Sequence, residues 1–311
     1  MKRDFLTSAD FSAEKVQQLF ELSAQMKADT QAKRHLDVLK GHCAAMIFQK
    51  PSLRTRMTFD IGMQQLGGTA IYLGPAEIAL GVRESAHDIA KNLERWADLI
   101  VARVFAQADI EELARASRVP VINALSDDEH PCQAMADYFT LFERGLWGRD
   151  VRLAFIGDGN NTCCAVMTLG AVVGADVRVA TPPGYEPPAA AVERARALAE
   201  ESGGTLTVCN DPVEAVRGAN AVYTDTWASM HVAHEAEQRR PKFQPYQVNR
   251  ALLDKAGPGA VAMHCLPAHR NEEITDDVMD GPDSVIFDQA ENRLHVQKAV
   301  ILECMGLAGT R

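Results

Sequence analysis

Short apolar runs alternate with amphipathic stretches along all 311 residues of the chain. Val16, Leu19, Phe20 and Met26 recur at helical spacing behind Ser12, which predicts a helix with that serine as its N-cap. Apolar segments at 44–48, 70–73, 99–104 and 119–123 predict strands. Between them, 55–66 (closed by Gly67-Gly68), the stretch around Ile89, Leu93 and Trp96, and 131–144 predict helices. Pro131 stands where the first turn of a helix tolerates proline. After a junction at 145–150 the alternation restarts, with strands expected at 151–156, 177–180, 206–209, 221–223, 260–264 and 284–287. Helices are expected between them, and a last one over 291–305. Strand–helix alternation on this scale implies doubly wound α/β domains with mostly parallel sheets, covered on both faces. Two such domains are expected, 1–147 and 148–311, which also suits the length. The polar stretch 231–247, with His231, His234, Glu235, Glu237, Arg239, Arg240 and Lys242, reads as a long loop and a candidate lid.

Composition narrows the classes of partner. An apolar share of 47% is enough to bury real cores and excludes disorder. Thirty-two Lys and Arg against 42 Asp and Glu leave a net charge of −10, unsuited to nucleic acid or an anionic membrane surface. A local basic pocket for one small anion remains compatible with that balance. No apolar run is long enough for a membrane span, roughly 18 residues, and none near the N-terminus suits a signal peptide. Seven scattered cysteines without metal-ligand spacing read as reduced thiols in a cytoplasmic chain.

Five segments could carry chemistry. In Ser52-Leu53-Arg54-Thr55-Arg56 a strand gives way to a helix start crowded with hydroxyls and guanidinium groups. Free N–H groups and the positive dipole end make such a start a phosphate site, though a capped helix with solvated arginines has the same composition. No GxxxxGK[ST] pattern accompanies it. His130-Pro131-Cys132-Gln133 opens the next helix, where His130 either caps the helix or donates to a carbonyl oxygen. Gly157-Asp158-Gly159-Asn160-Asn161 follows a strand, but Thr162 stands where a dinucleotide fingerprint needs glycine. Asp225-Thr-Trp-Ala-Ser229-Met230 and His264-Cys265-Leu266-Pro267 lie just past apolar strands, where open α/β sheets bind ligands. A cysteine there is either a small hydrophobe or a reactive thiol. His231, His234 and Glu235 lack a second cluster to complete a metal site.

Together with Glu291-Asn292-Arg293, these motifs stand in the order found in aspartate/ornithine carbamoyltransferases, and the chain resembles that family from about Phe48 to Lys298. His-Cys-Leu-Pro and Asp-x-Trp-x-Ser-Met resemble the ornithine branch. The resemblance implies a carbamoyl-phosphate domain followed by an ornithine domain, an active site in the cleft between them, and a C-terminal helix from about 291 packing back on the first. It implies donor contacts from Ser52, Leu53 (main chain), Arg54, Thr55, Arg103, His130, Gln133, Cys265, Leu266 and Arg293. Of these, Arg54, Thr55, Arg103, His130 and Cys265 are the expected catalytic groups. Asn161, Asp225, Ser229 and Met230 match the positions that hold the α-amino and α-carboxylate ends of ornithine. The implied activity is transfer of a carbamoyl group to the δ-amine of L-ornithine, giving citrulline, by a homotrimer or multiple of trimers without metal or organic cofactor. Another amino acid or an acylated ornithine as acceptor, or a non-catalytic paralogue, is the alternative. The chain departs from the family pattern in four places: Leu53 replaces Thr, Ala79 replaces a Gln or His that reaches a neighbouring subunit's donor, His231 replaces Gly, and the pair Cys163-Cys164 replaces His-Ser.

Overall fold

A computed structural model describes residues 2–34, 36–228 and 233–309. The chain forms two compact units, Met1–Phe139 with Glu291–Arg311, and Thr140–Ala290. In chain order the first half contains α1 (Ala13–Gln31), β1 (Cys43–Phe48), α2 (Leu53–Gln65), β2 (Thr69–Leu73), α3 (Pro75–Ile78), α4 (Ala86–Leu93), β3 (Leu99–Arg103), α5 (Gln107–Ala116), β4 (Val121–Leu125) and α6 (Pro131–Glu143). Then come β5 (Arg152–Ile156), α7 (Asn161–Val173), β6 (Asp176–Ala180), α8 (Ala189–Ser202), β7 (Thr205–Cys209), α9 (Pro212–Val216) and β8 (Ala221–Thr224). They are followed by α10 (Ala236–Phe243), α11 (Arg250–Leu253), β9 (Val261–His264), α12 (Asp276–Met279) and α13 (Ile286–Cys304). The division between units falls inside α6 and α13.

The first unit carries a four-stranded sheet in the order β2-β1-β3-β4, the second a five-stranded sheet in the order β7-β6-β5-β8-β9. All pairings between these strands are parallel, as the alternation of elements requires. The central strand β3 (Leu-Ile-Val-Ala-Arg), and β4 (Val-Ile-Asn-Ala-Leu), which ends the sheet but is met by a bridge from Phe5 to Ile122, are buried throughout and read as nearly unbroken apolar runs. Edge strands β2 and β7 alternate between more exposed and less exposed positions instead. One core layer of the first unit joins Ile47, Ile89, Ile100, Ile110 and Leu113. Its counterpart in the second joins Ile156, Val222, Tyr246, Ile274 and Ile286.

Two expected elements are corrected. The strand expected at 284–287 is reduced to a single bridge between Ser284 and Ala262, and α13 already begins at Ile286. Val285-Ile286 looks like a strand in isolation, but Ile286, Gln289, Arg293, Val296 and Val300 are all buried at helical spacing, so the helix wins. Of the loop expected at 231–247, residues 231 and 232 lie outside the described residues. The remainder is mostly helical: a 3-10 turn over Ala233–Glu235, then α10, then a second turn over Gln244–Tyr246. Arg239, Phe243 and Tyr246 are buried at spacings of four and three, and that single inward face turns a polar segment into a helix.

Candidate active site

The first unit gathers cations at the strand ends. β1 ends at Phe48, and Ser52 caps α2 with its Oγ accepting from the Thr55 N–H at 3.3 Å. The helix therefore opens two residues earlier than its apolar pattern suggests, and Arg54 and Thr55 fall in its first turn. Leu53 is 74% exposed and its apolar side chain offers no hydrogen bond, so only its main chain can donate to a ligand at this helix start. Thr55 is buried, and its Oγ1 accepts from Arg293 Nη2 at 3.0 Å. The other arm of that guanidinium donates to Gln133 Oε1 at 2.6 Å, and Gln133 Nε2 donates to Asp137 Oδ1 at 2.7 Å. The Gln297 amide, oriented so that its oxygen faces the guanidinium, accepts from Arg293 Nε at 3.2 Å. Arg293, though far along the chain, is thereby fixed among residues of α2 and α6.

Arg103 ends β3 at a register shift against β4: Ala102 faces Asn123, whereas Arg103 faces Leu125. Such an irregularity re-aims a side chain at the end of a strand. His130, immediately before α6, is buried, and burial followed by the charges of Arg293, Arg103 and Arg54 holds its pKa well below the ordinary histidine value. Its ring is neutral at pH 7 and has one N–H to give; Nδ1 has no hydrogen-bond partner. The charges of Arg54, Arg103 and Arg293 thus all act on this one imidazole.

Lys50 belongs to this cluster although nothing in the motif pattern marked it. It is buried, pairs with Asp127 at 2.7 Å and lies 4.3 Å from the Phe105 ring centre. Burial lowers its pKa from the ordinary lysine value, Asp127 opposes this, and Arg103 adds to it. The signal was its place between the end of β1 and the Ser52 cap. Ala79 ends α3 at φ 38° and has no polar side-chain atom to offer.

In the second unit, the segment after β5 turns on two glycines. Gly157 has φ 135°, and a Cβ on Gly159 would lie 2.3 Å from the Pro187 nitrogen, so neither position accepts a side chain without a shift. Asn160 then caps α7, its Oδ1 accepting from the N–H groups of Thr162 (3.0 Å) and Cys163 (3.1 Å). Asn160 Nδ2 donates to Asp225 Oδ2 at 2.9 Å, so Asn160 holds the acidic residue, while the half-buried Asn161 opens the helix. Asp225 Oδ1 accepts from the Thr226 N–H (2.8 Å) and from the Cys265 thiol (3.0 Å). Asn160, Asp225 and Cys265 thus converge from the ends of three neighbouring strands, β5, β8 and β9. Ser229 and Met230, with His231, lie outside the described residues. Cys163 and Cys164 are buried, and burial raises the Cys163 pKa well above the ordinary thiol value, so it is packing.

His264 supports this corner. Its Nδ1 accepts from the Leu266 N–H at 2.8 Å, which leaves the proton on Nε2 to be donated to Glu273 Oε1 at 3.0 Å. The ring thereby holds Leu266 at φ 59°, a strained value for leucine, beside the cis Leu266–Pro267 peptide. Ligand atoms of Asp225, His264 and Cys265 lie within 4.8 Å of one another. Both His264 nitrogens are engaged, so a metal bound through His264 would have to displace a bond that shapes the loop.

Comparison with known proteins places both halves of the chain in known domain families. Residues 3–143 match the carbamoyl-P binding domain of aspartate/ornithine carbamoyltransferase, and residues 149–304 match its Asp/Orn binding domain. The chain is 48% identical over 304 residues to an ornithine carbamoyltransferase of Thermococcus kodakarensis, covering 98% of this chain and 96% of that one. The anabolic ornithine carbamoyltransferase of Pyrococcus furiosus matches with the same identity and the same coverage. A solved structure of the Pyrococcus furiosus enzyme superposes with a TM-score of 0.94 at 48% identity, covering 98% of this chain and 97% of that one. Another from Campylobacter jejuni gives 0.92 at 34% identity, covering 98% and 99% of the two chains. With both domain descriptions matched and relatives this similar over nearly the whole length, the chain belongs to the aspartate/ornithine carbamoyltransferase family, in its ornithine branch.

Proposed function

We propose that the protein transfers the carbamoyl group of carbamoyl phosphate to the δ-amine of L-ornithine, giving L-citrulline and phosphate. The observation that carries this reading is Arg293 held between Thr55 and Gln133 at 3.0 and 2.6 Å, in the same unit as the Ser52-capped start of α2, with the charges of Arg293, Arg103 and Arg54 all acting on the buried His130. A chain of net charge −10 concentrates cations in that way where a small, highly charged anion binds.

In the reaction the neutral δ-nitrogen attacks the carbonyl carbon, the bond from carbon to the phosphate oxygen breaks, and the proton lost by the amine leaves with phosphate. Negative charge grows first on the carbonyl oxygen and then on the leaving oxygen. Thr55, Arg103 and His130 serve the carbonyl oxygen, His130 through its single N–H, and Arg54 with the N–H groups behind Ser52 takes the phosphate. Gln133 and Arg293 position the carbamoyl end, together with Cys265 and the main chain of Leu266. Asp225, set by Asn160, receives the α-ammonium of ornithine, and Asn161, Ser229 and Met230 complete the amino-acid contacts. Rate acceleration then comes from positioning and preorganised charge, with no covalent enzyme intermediate. No metal or organic cofactor has a role in this scheme.

The reading extends to a homotrimer in the cytoplasm acting in arginine biosynthesis. The relative named anabolic supports the direction, and exposed Leu53, Val82 and Trp96 supply apolar surface on the first unit. No helix among the described residues is long and apolar enough to cross a membrane. Citrulline formation measured with ornithine, an acylated ornithine, other amino acids and a simple diamine tests the reading. Ornithine should be strongly preferred; absence of citrulline, or an equal rate with another amine, refutes it.

A further inference from the structure

Arg239 in α10 is only 8% exposed, and its guanidinium meets separate pieces of the second unit. Nη1 lies 3.0 Å from Asp158 Oδ2 and donates to the Trp227 carbonyl at 2.9 Å. Nε donates to Glu235 Oε2 at 2.9 Å, and the group stands 5.0 Å from the Tyr185 ring centre. Asp158 lies in the segment after β5 and Trp227 in the segment after β8, the same two segments that Asn160 and Asp225 join at 2.9 Å. Asp158 is two residues before Asn160, and Trp227 is two residues after Asp225. Arg239 therefore ties the two segments a second time, on either side of the Asn160–Asp225 bond.

A planar fork suits this task because one guanidinium satisfies a carboxylate and a carbonyl in fixed directions, which a lysine ammonium does less well. The Asp158 carboxylate needs its partner: burial pushes its pKa up to about 6 even with Arg239 beside it, and Asp225 and Glu235 push the same way. Without Arg239 the link between Asp158 and the Trp227 carbonyl is gone, and the Asp158 carboxylate takes up a proton or swings outward.

We propose that Arg239 is a positioning residue for the acceptor: it clamps the segments after β5 and β8 so that Asn160 and Asp225 keep the geometry that receives an α-amino acid. Arg239 touches neither reacting atom, and its role rests on the ornithine reading given above.

The test is citrulline formation with each substrate varied in turn, in the wild type, Arg239→Gln, Arg239→Lys, Asp158→Asn and the Asp158→Asn/Arg239→Gln double variant. Arg239→Gln should raise the KM for ornithine about tenfold or more and leave that for carbamoyl phosphate within about twofold. Arg239→Lys should recover part of the loss, and the double variant should be no worse than Arg239→Gln alone. An equal loss toward both substrates, or a fall in kcat at unchanged ornithine KM, overturns the proposal and leaves a merely structural arginine. Should Arg239→Gln fail to fold, Arg239→Lys and Asp158→Asn give the same KM comparison. A wild type that makes no citrulline refutes the function and this inference with it. An active wild type whose variants keep the ornithine KM refutes the inference alone.

Discussion

Replacing Arg293 with methionine removes a buried guanidinium while keeping much of its length. In the protein, Arg293 donates to Thr55 Oγ1 at 3.0 Å and to Gln133 Oε1 at 2.6 Å. Hydrogen bonds with a charged partner contribute about 1.5–3 kcal/mol each, so losing these two costs about 3–6 kcal/mol in stability, and losing the Gln297 contact adds to that. Methionine no longer carries a charge into the interior, and that relief offsets part of the loss. Donor binding suffers separately. One lost charge-assisted contact to the carbamoyl end of the bound acyl phosphate costs about 1.5–3 kcal/mol, or roughly ten- to 150-fold in affinity. Arg293 also leads the charges that act on His130, after burial, so its removal should let the His130 pKa rise toward the ordinary histidine value. The assay is the initial rate of citrulline formation against carbamoyl phosphate concentration, with inorganic phosphate as a competing anion. An NMR titration of His130 accompanies it. A KM for carbamoyl phosphate within twofold of wild type, with the histidine titration unmoved, would refute the assignment of Arg293 to the donor site.

Three further outcomes follow from the same geometry. Because the folded-state pKa of His130 lies below its unfolded value near 6.5, the unfolded chain binds a proton below that pH that the folded chain refuses. His130→Gln should therefore remove a stability loss of about 1 kcal/mol between pH 6.5 and 5.5, rising to about 1.4 kcal/mol per further pH unit until the folded pKa is reached. Denaturant titrations at several pH values check this, and identical pH slopes in both proteins would refute it. Gly159→Ala brings a Cβ to 2.3 Å from the Pro187 nitrogen and 2.5 Å from the Glu186 carbonyl carbon. It should cost about 1–3 kcal/mol in thermal unfolding and raise the ornithine KM, since Asn160 is the next residue; an unchanged Tm would show that the segment yields freely. Ornithine should exceed putrescine roughly 10²-fold in kcat/KM, because the diamine leaves the Asp225 carboxylate without its ammonium partner. Equal values would remove Asp225 from the acceptor site.

Much of the architecture was legible along the chain because local rules suffice for it. Parallel strands buried on both faces must be nearly continuous apolar runs, and β3 and β4 are such runs. Ser12 and Ser52 cap helices because their side chains reach N–H groups only three residues away. Where an apolar pair served two periodicities, as at Val285-Ile286, burial along the whole of α13 decided between them. The polar segment containing Arg239 became a helix because Phe243 and Tyr246 found a core to enter, a fact of long-range packing invisible in its composition. For the sites, motif order identified the residue types to expect, but not their partners. Arg293 meets Thr55 across 238 positions of sequence, and Asn160 meets Asp225 across 65. Lys50 and Arg239 carry no motif at all, and each gains meaning from the charges placed beside it. Capping, alternation and turn chemistry act over a few residues and can be read in order along the chain. The neutrality of His130 arises from burial and three arginines drawn from distant segments, so only the folded chain determines it.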